Sequence, residues 1–433
     1  MQNYSVIVLY LHRFYNLPVI FGFSMSQFLF FSIVFILVAD FGLERYLAFL
    51  NIKHAKNKLP AILSDIYDTE KYARQQDYFQ TNTRFGMLTS SFSFVITLAM
   101  YCFGGFAWVD QFVEGFIQHD ILTPIVFFGI LYFVNDIITI PFEWYDTFVI
   151  EQKFGFNKVT PALFLLDKLK GYALTILIGG GLLYLIIWIY TLTPEYFWLL
   201  AWGVITVFSL FMTMFYSEII VPLFNKQTPL EAGELRTEIE KFASKTGFNL
   251  KNIFVIDGSK RSTKANAYFS GLGSKKRIVL YDTLMDKMTN DEIVAVLAHE
   301  IGHYKHKHTL INMLISVPST LLLFFVFGLI LKSDAMAQAL GGTEASFHLN
   351  ALAFSILYTP ISLVLGIATN VLSRKFEYQA DAYAASYGFS EQLKSGLKKL
   401  SATSLSNLMP HPLYVFFHYS HPTLYQRIIK MNH

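Results

Sequence analysis

His299 and His303 stand four residues apart with Glu300 beside the first, inside the apolar run Val296-Leu297-Ala298-His299-Glu300-Ile301-Gly302-His303. On a helix that spacing puts both imidazoles on one face. Two neutral imidazoles so placed can grip one Zn²⁺, and a neighbouring carboxylate can serve as general base towards a water that the metal activates. A pattern this short also arises by chance. The rest of the chain must therefore supply a helix, a third ligand and a setting.

The helix has a start signal. Thr289-Asn290-Asp291-Glu292 has the pattern of a capping box, and no breaker follows it. The spacing predicts a helix running from Glu292 through His308 into the apolar run Leu310–Leu331, with Pro318 tolerated inside a membrane.

A catalytic zinc takes three protein ligands. The three-histidine version requires glycine at position 306 and histidine at 309, where this chain has His306 and Thr309, so that class is rejected. His306 and His308 remain as further donors, although His306 falls off the shared face. The better candidate is Glu377 in Ser373-Arg374-Lys375-Phe376-Glu377, with Asp381 one turn later on the same face. Glu377 could complete the set, and Asp381 could accept the free ring N–H of a ligand and so fix its tautomer. Glu391 and Glu344 are weaker rivals. Near the C-terminus, Ser420-His421-Pro422 with Arg427 offers a histidine, His421, that could stabilise an oxyanion. Asn266-Ala267-Tyr268-Phe269 could present a strand edge to an extended peptide backbone.

Composition gives the setting. Of 433 residues 54% are hydrophobic and only 15% charged, against about 25% in soluble domains. Mean hydropathy is +0.42. This is a membrane protein by composition, and it is expected to be all-α apart from a small insert. The single cysteine, Cys102, excludes intrachain disulfides and a cysteine-based zinc site. A net charge of +3 gives no argument for nucleic acid. The start of the chain has no evident secretory signal peptide.

Apolar runs of about the 20 residues that cross a bilayer occur at Pro18–Phe41, Gly86–Val109, Ile121–Phe142, Tyr172–Tyr190, Tyr196–Val221, Leu310–Leu331 and Leu349–Val371. Lys and Arg alternate between successive connections, rich in one and sparse in the next. The positive-inside rule then places the N-terminus outside or lumenal, and 222–308 and the C-terminus in the cytosol. Asn135 and Asp136 inside the third run face either a partner helix or a water-filled cavity. Four regions are expected: 1–221 with spans one to five, 222–308 as a small cytosolic α+β insert, 309–371 with spans six and seven, and 372–433 as a cytosolic helical region. In the insert, Asn252–Asp257 and Arg277–Tyr281 read as short strands, with Asn266–Phe269 as a third before a turn at Gly271–Ser274. Both zinc half-sites emerge at one membrane face.

Together, LAHEIGHYKHKH around His299–His303, SRKFEYQADAYA around Glu377 and Asp381, NAYFSG at Asn266–Gly271, SHP at Ser420–Pro422 and PFEWYDTFVIEQKFGFNK at Pro141–Lys158 resemble the type I CaaX prenyl endopeptidases, integral membrane zinc metalloproteases of the gluzincin group. The resemblance covers nearly the whole chain. It implies seven transmembrane helices forming a barrel around a water-filled chamber, with one Zn²⁺ per chain near the cytosolic end. It implies His299, His303 and Glu377 as ligands, Glu300 as base, Asn266 and Ala267 in a substrate-aligning strand, and His421 and Arg427 as supporting residues. The implied partners are the lipid bilayer and a C-terminally prenylated protein that loses its last three residues. The implied location is the endoplasmic reticulum or nuclear envelope in a eukaryote and the inner membrane in a bacterium. A general quality-control protease is the alternative within the enzyme class. A transporter or receptor with an incidental motif is the alternative outside it.

Overall fold

The computed structural model describes residues 24–55, 59–248, 252–271 and 277–432. The start of the expected first span (18–23) and the tip of the expected turn (272–274) lie outside these residues.

Side-chain caps start three of the long helices of the membrane region. Ser24 closes a capping box with Gln27 at the start of α1 (Met25–His54), and the Asp68 side chain accepts from the Lys71 N–H at the start of α2 (Thr69–Cys102). The second span therefore ends earlier than the expected Gly86–Val109. Gly104, at φ 68°, breaks the chain, and a separate helix α3 (Gly105–Glu114) follows. Next come α4 (Leu122–Glu151), α5 (Pro161–Leu192) and α6 (Phe197–Phe224), each long and apolar enough to cross a membrane. In α5, Thr160 caps and Pro161 occupies the first turn, where its missing N–H costs nothing.

The polar insert follows. A four-stranded sheet has the order β1 (Gln227–Pro229), β2 (Asn252–Ile256), β4 (Arg277–Tyr281), β3 (Ala267–Ser270), with α7 (Glu234–Lys245) in the β1–β2 connection. The three expected strands are present. β1 is an addition, too short and too polar to show a period of two. β2 and β4 run parallel, and β3 closes one edge antiparallel to β4.

α8 (Asn290–Lys305) packs behind the sheet and buries Ile293, Val294, Leu297, Ala298 and Ile301. Its capping box forms: Thr289 N–H donates to Glu292 Oε2 at 2.9 Å, and the Glu292 carboxylate also meets Ser395 and Lys399 at 2.6 and 2.7 Å. The helix does not continue through His308 as expected. Lys307 adopts a left-handed conformation (φ 58°), and α9 (His308–Ile330) starts afresh as the sixth long span.

The seventh crossing is bent. α10 (Phe347–Leu357) and α11 (Thr359–Ser386) meet at 51°, next to Pro360, which cannot donate to the preceding turn. α11 then carries Glu377 and Asp381 on the same unbroken helix that leaves the membrane. α12 (Ser390–Thr403), α13 (Pro412–His418) and α14 (Leu424–Met431) complete the chain.

Few residues of the six long spans are fully buried within the protein, which leaves their apolar side chains to the surrounding lipid. An aromatic cluster of Phe127, Phe197, Phe327 and Phe347 fills one end. Asp136 finds partners on α5: Lys168 Nζ at 2.9 Å and the Tyr172 hydroxyl at 2.5 Å. Its place inside the third span is explained by an interhelical bond.

The Pro141–Lys158 stretch ends in a segment tied to the insert. Lys158 N–H donates to Arg261 O at 3.0 Å, and Thr263 N–H to Phe156 O at 3.1 Å. Lys264 Nζ reaches Glu151 and the Tyr78 hydroxyl, both at 2.8 Å. Arg261 grips Asp167 with two 2.9 Å bonds. These ties hold the segment that feeds directly into β3.

Candidate active site

α8 presents His299 and His303 from one face, as their spacing requires. What brings α11 against that face is Gly302. A Cβ there would lie 3.0 Å from Ala380 Cα and 3.2 Å from its carbonyl oxygen, so only a glycine lets the two backbones approach this closely. Glu377 and Asp381, one turn apart on α11, then reach the imidazoles, and both are buried.

The two Nε2 atoms point at one another, 3.1 Å apart. Glu377 closes the third side, with Oε2 3.4 Å from His299 Nε2 and Oε1 3.3 Å from His303 Nε2. The outward ring nitrogens are each held. His299 Nδ1 lies 2.8 Å from Asp381 Oδ1, and His303 Nδ1 lies 2.9 Å from Nδ1 of His308. Asp381 also receives both Arg427 Nε at 2.9 Å and Nη2 at 2.6 Å, and Arg427 is itself buried. Arg427 Nη2 also stands 3.3 Å from His299 Nδ1. That approach is two donors side by side on one carboxylate.

This donor set fits a metal ion. With Nδ1–H of His299 given to Asp381, its Nε2 carries a lone pair, and the same holds for His303 if it donates to His308. Two lone pairs and a carboxylate then converge on one point, and Glu377 Oε2 is buried without a hydrogen bond. One donor atom from each residue lies within 4.8 Å of the others. Without a metal the same arrangement favours a proton: burial works to lower the His299 pKa, but the bond to Asp381 and the facing Glu377 carboxylate prevail and raise it to about 9.

The other sequence-derived residues gather around the cluster. Glu300 is half-buried and lines a cavity of about 1380 Å³ that His299, His303, Glu377, His421 and Asn266–Gly271 also border. His421 is exposed, with Nε2 3.2 Å from Glu377 Oε1 and Nδ1 2.9 Å from the Ser420 hydroxyl. Asn266 and Ala267 sit at the start of β3, whose outer edge faces no other strand among the described residues. The Tyr268 hydroxyl stands 3.3 Å from Ser217 on α6, which ties its side chain to the fifth span. His306 is exposed at the end of α8, and the Glu391 side chain is 83% exposed in a pair with Lys394, so neither is a ligand.

Comparison with known proteins agrees with this architecture. Residues 48–226 match the family model "CAAX prenyl protease N-terminal, five membrane helices", and 229–433 match "Peptidase family M48". CAAX prenyl protease 1 of Saccharomyces cerevisiae is 34% identical over 92% of this chain and 93% of its own length. The chain belongs to the CAAX prenyl protease family of M48 peptidases. A rice CAAX prenyl protease 1 homolog is 36% identical over 88% of this chain and 92% of its own, and the human homolog 31% over 86% and 88%. The crystal structure of S. mikatae Ste24p superposes with a TM-score of 0.89 at 33% identity, covering 94% of this chain and 99% of that one. Like its family, the protein is a multi-pass membrane metalloendopeptidase.

Two residues of this peptidase's site escape sequence reasoning. Gly302 reads as an ordinary helix glycine until Ala380 is placed against it. His308 is only a loose further donor until the Lys307 turn folds it back. The one available signal for His308 was a histidine at the boundary of an otherwise apolar span.

Proposed function

We propose that this peptidase holds one zinc ion through His299, His303 and Glu377 and removes the C-terminal tripeptide from prenylated CaaX proteins. The observation that carries the metal reading is the meeting of two imidazole Nε2 atoms 3.1 Å apart against a buried, hydrogen-bond-free carboxylate oxygen. The substrate reading rests on relatives whose names describe CAAX prenyl proteases.

A zinc ion at this position supplies Lewis acidity, which acidifies water and polarises a carbonyl oxygen. The chain's own residues do the rest. Glu300, next to His299 and in the cavity wall, takes the proton from the attacking water and passes it to the leaving amine. His421, exposed at the open side of the cluster, donates to the oxyanion as it develops. Asp381 fixes the tautomer of His299, and Arg427 holds Asp381 ionised. The free edge of β3, from Asn266 through Tyr268, pairs with the extended substrate backbone. The site opens on the cytosolic face, with the N-terminus lumenal, in the endoplasmic reticulum or nuclear envelope of a eukaryote.

Glu300→Gln tests the chemistry. The variant is expected to keep one zinc per chain and to lose cleavage of a farnesylated CaaX peptide. Cleavage at the native rate would overturn the assignment of Glu300. Turnover of the farnesylated peptide should exceed that of its unmodified twin. Equal turnover would favour general quality control instead.

A further inference from the structure

We propose that His308 is a positioning residue for His303: it accepts the outward N–H of that ligand on its own Nδ1 and passes the restraint through its Nε2 to Gln379 on the helix that carries Glu377. The inference rests on the reading that His303 holds the metal through Nε2.

The contacts form a chain of three. His303 Nδ1 and His308 Nδ1 are 2.9 Å apart, and His308 Nε2 and Gln379 Oε1 are 2.9 Å apart. His308 is buried, and its ring stacks on Phe376 at 4.0 Å between centroids with 11° between planes. Phe376 and Gln379 flank Glu377 on α11, and the His306 ring also stacks on His308 at 5.5 Å with 14° between planes. The imidazole is thus clamped by the segment that supplies the third ligand.

Proton bookkeeping allows one arrangement. If His303 ligates through Nε2, its Nδ1 must carry the hydrogen and donate. His308 Nδ1 must then be the unprotonated acceptor, which leaves its hydrogen on Nε2. That N–H points at an amide oxygen, the one group in Gln379 that can accept it. Every donor in the chain meets an acceptor, and no charge is required. The two ligands are therefore steadied differently: His299 by an ionised Asp381 under Arg427, His303 by a neutral imidazole and an amide.

The backbone is shaped for this contact. On an unbroken helix a residue five positions on would point about 140° away from His303. The left-handed turn at Lys307 ends α8 and restarts the chain as α9, which returns His308 to the outward edge of the His303 ring. A non-glycine residue in that conformation is uncommon.

Three variants separate the bond from the packing. His308→Phe keeps a ring on Phe376 but has no acceptor, His308→Asn places an acceptor oxygen near the position of Nδ1, and Gln379→Leu removes the second link. Zinc release to a chelator is measured on purified holoenzyme in detergent, with kcat and KM for a CaaX peptide alongside. His308→Phe is expected to release zinc about 10- to 100-fold faster, with kcat reduced and KM little changed. His308→Asn should recover most of that loss, and Gln379→Leu should lie between. Native release rates in His308→Phe would overturn the proposal. A measurement on the unaltered chain guards against misfolding: ¹⁵N-histidine spectra should show His308 protonated on Nε2 and not on Nδ1. The opposite tautomer would also overturn it. Absence of stoichiometric zinc from the native protein would instead overturn the metal reading itself.

Discussion

Asp381 Oδ1 lies 2.8 Å from His299 Nδ1, and the same oxygen receives Arg427 Nη2 at 2.6 Å. One carboxylate thus orients the His299 imidazole and neutralises a buried guanidinium. Asp381→Asn keeps the shape and removes the charge. It is expected to weaken zinc affinity about 10- to 100-fold, measured by competition with a chromogenic chelator. Asp381→Ala leaves the buried Arg427 with only the longer 3.5 Å approach of Nη1 to Glu377 Oε2, and losing the main partner of a buried pair costs up to about 3–5 kcal/mol. It should lower the thermal midpoint well beyond Asp381→Asn.

Gly302→Ala tests the close approach of α8 and α11. Alanine is the better helix former by about 1 kcal/mol, yet its methyl would meet Ala380 backbone at 3.0 Å. Overpacking of this kind costs about 1–3 kcal/mol, so the net effect should be destabilising. The helices should part by a few tenths of an ångström, and Glu377 with them. Peptide cleavage should fall more steeply than thermal stability. Unchanged activity would show that the contact has slack.

Zinc binding should be coupled to proton release. In the metal-free protein His299 is expected to stay protonated up to about pH 9, because the bond to Asp381 and the facing Glu377 carboxylate outweigh the opposing effect of burial. Zinc must displace that proton, so apparent affinity should fall about tenfold per pH unit below 9. Calorimetry in buffers of different ionisation enthalpy reads the protons directly. The sign for stability follows from a folded pKa raised above the unfolded value of about 6.5. The metal-free protein should keep this contribution below pH 6.5 and lose it as pH rises through 9. A thermal midpoint of stripped protein that is flat over that range would contradict it.

Lys264 anchors the segment leading to β3, through Glu151 and the Tyr78 hydroxyl. Breaking a fully buried pair costs about 3–5 kcal/mol, and here, with side chains 34% and 20% exposed, about 1–3 kcal/mol is expected for Lys264→Met. Adding Glu151→Gln removes the orphaned charge and should restore part of the loss. Hydrogen exchange of Asn266–Ser270 should quicken in the single variant.

Much of this was legible in the chain. Thr289 and Glu292 announce the start of α8, β-branched runs announce β2 and β4, and Glu377 with Asp381 announces one helix face. These signals are local, each contained within a few residues. The illegible features depend on what lies opposite. Gly302 matters because of Ala380, and the placement of His308 depends on a left-handed backbone at Lys307, which no side-chain pattern encodes. The bend between α10 and α11 had a local signal in Pro360, but a continuous apolar run masked it.

The helix that carries Glu377 is continuous with the last membrane crossing, whereas His299 and His303 belong to a helix on the near side of the sixth. With a metal held as proposed by His299, His303 and Glu377, the two helices would become ends of a closed loop that includes both final spans. Ordering such a loop removes conformational freedom from the unfolded chain, as a cross-link does. A metal so held would also be a clasp, and stripping it should loosen the last two membrane helices as well as silence the site.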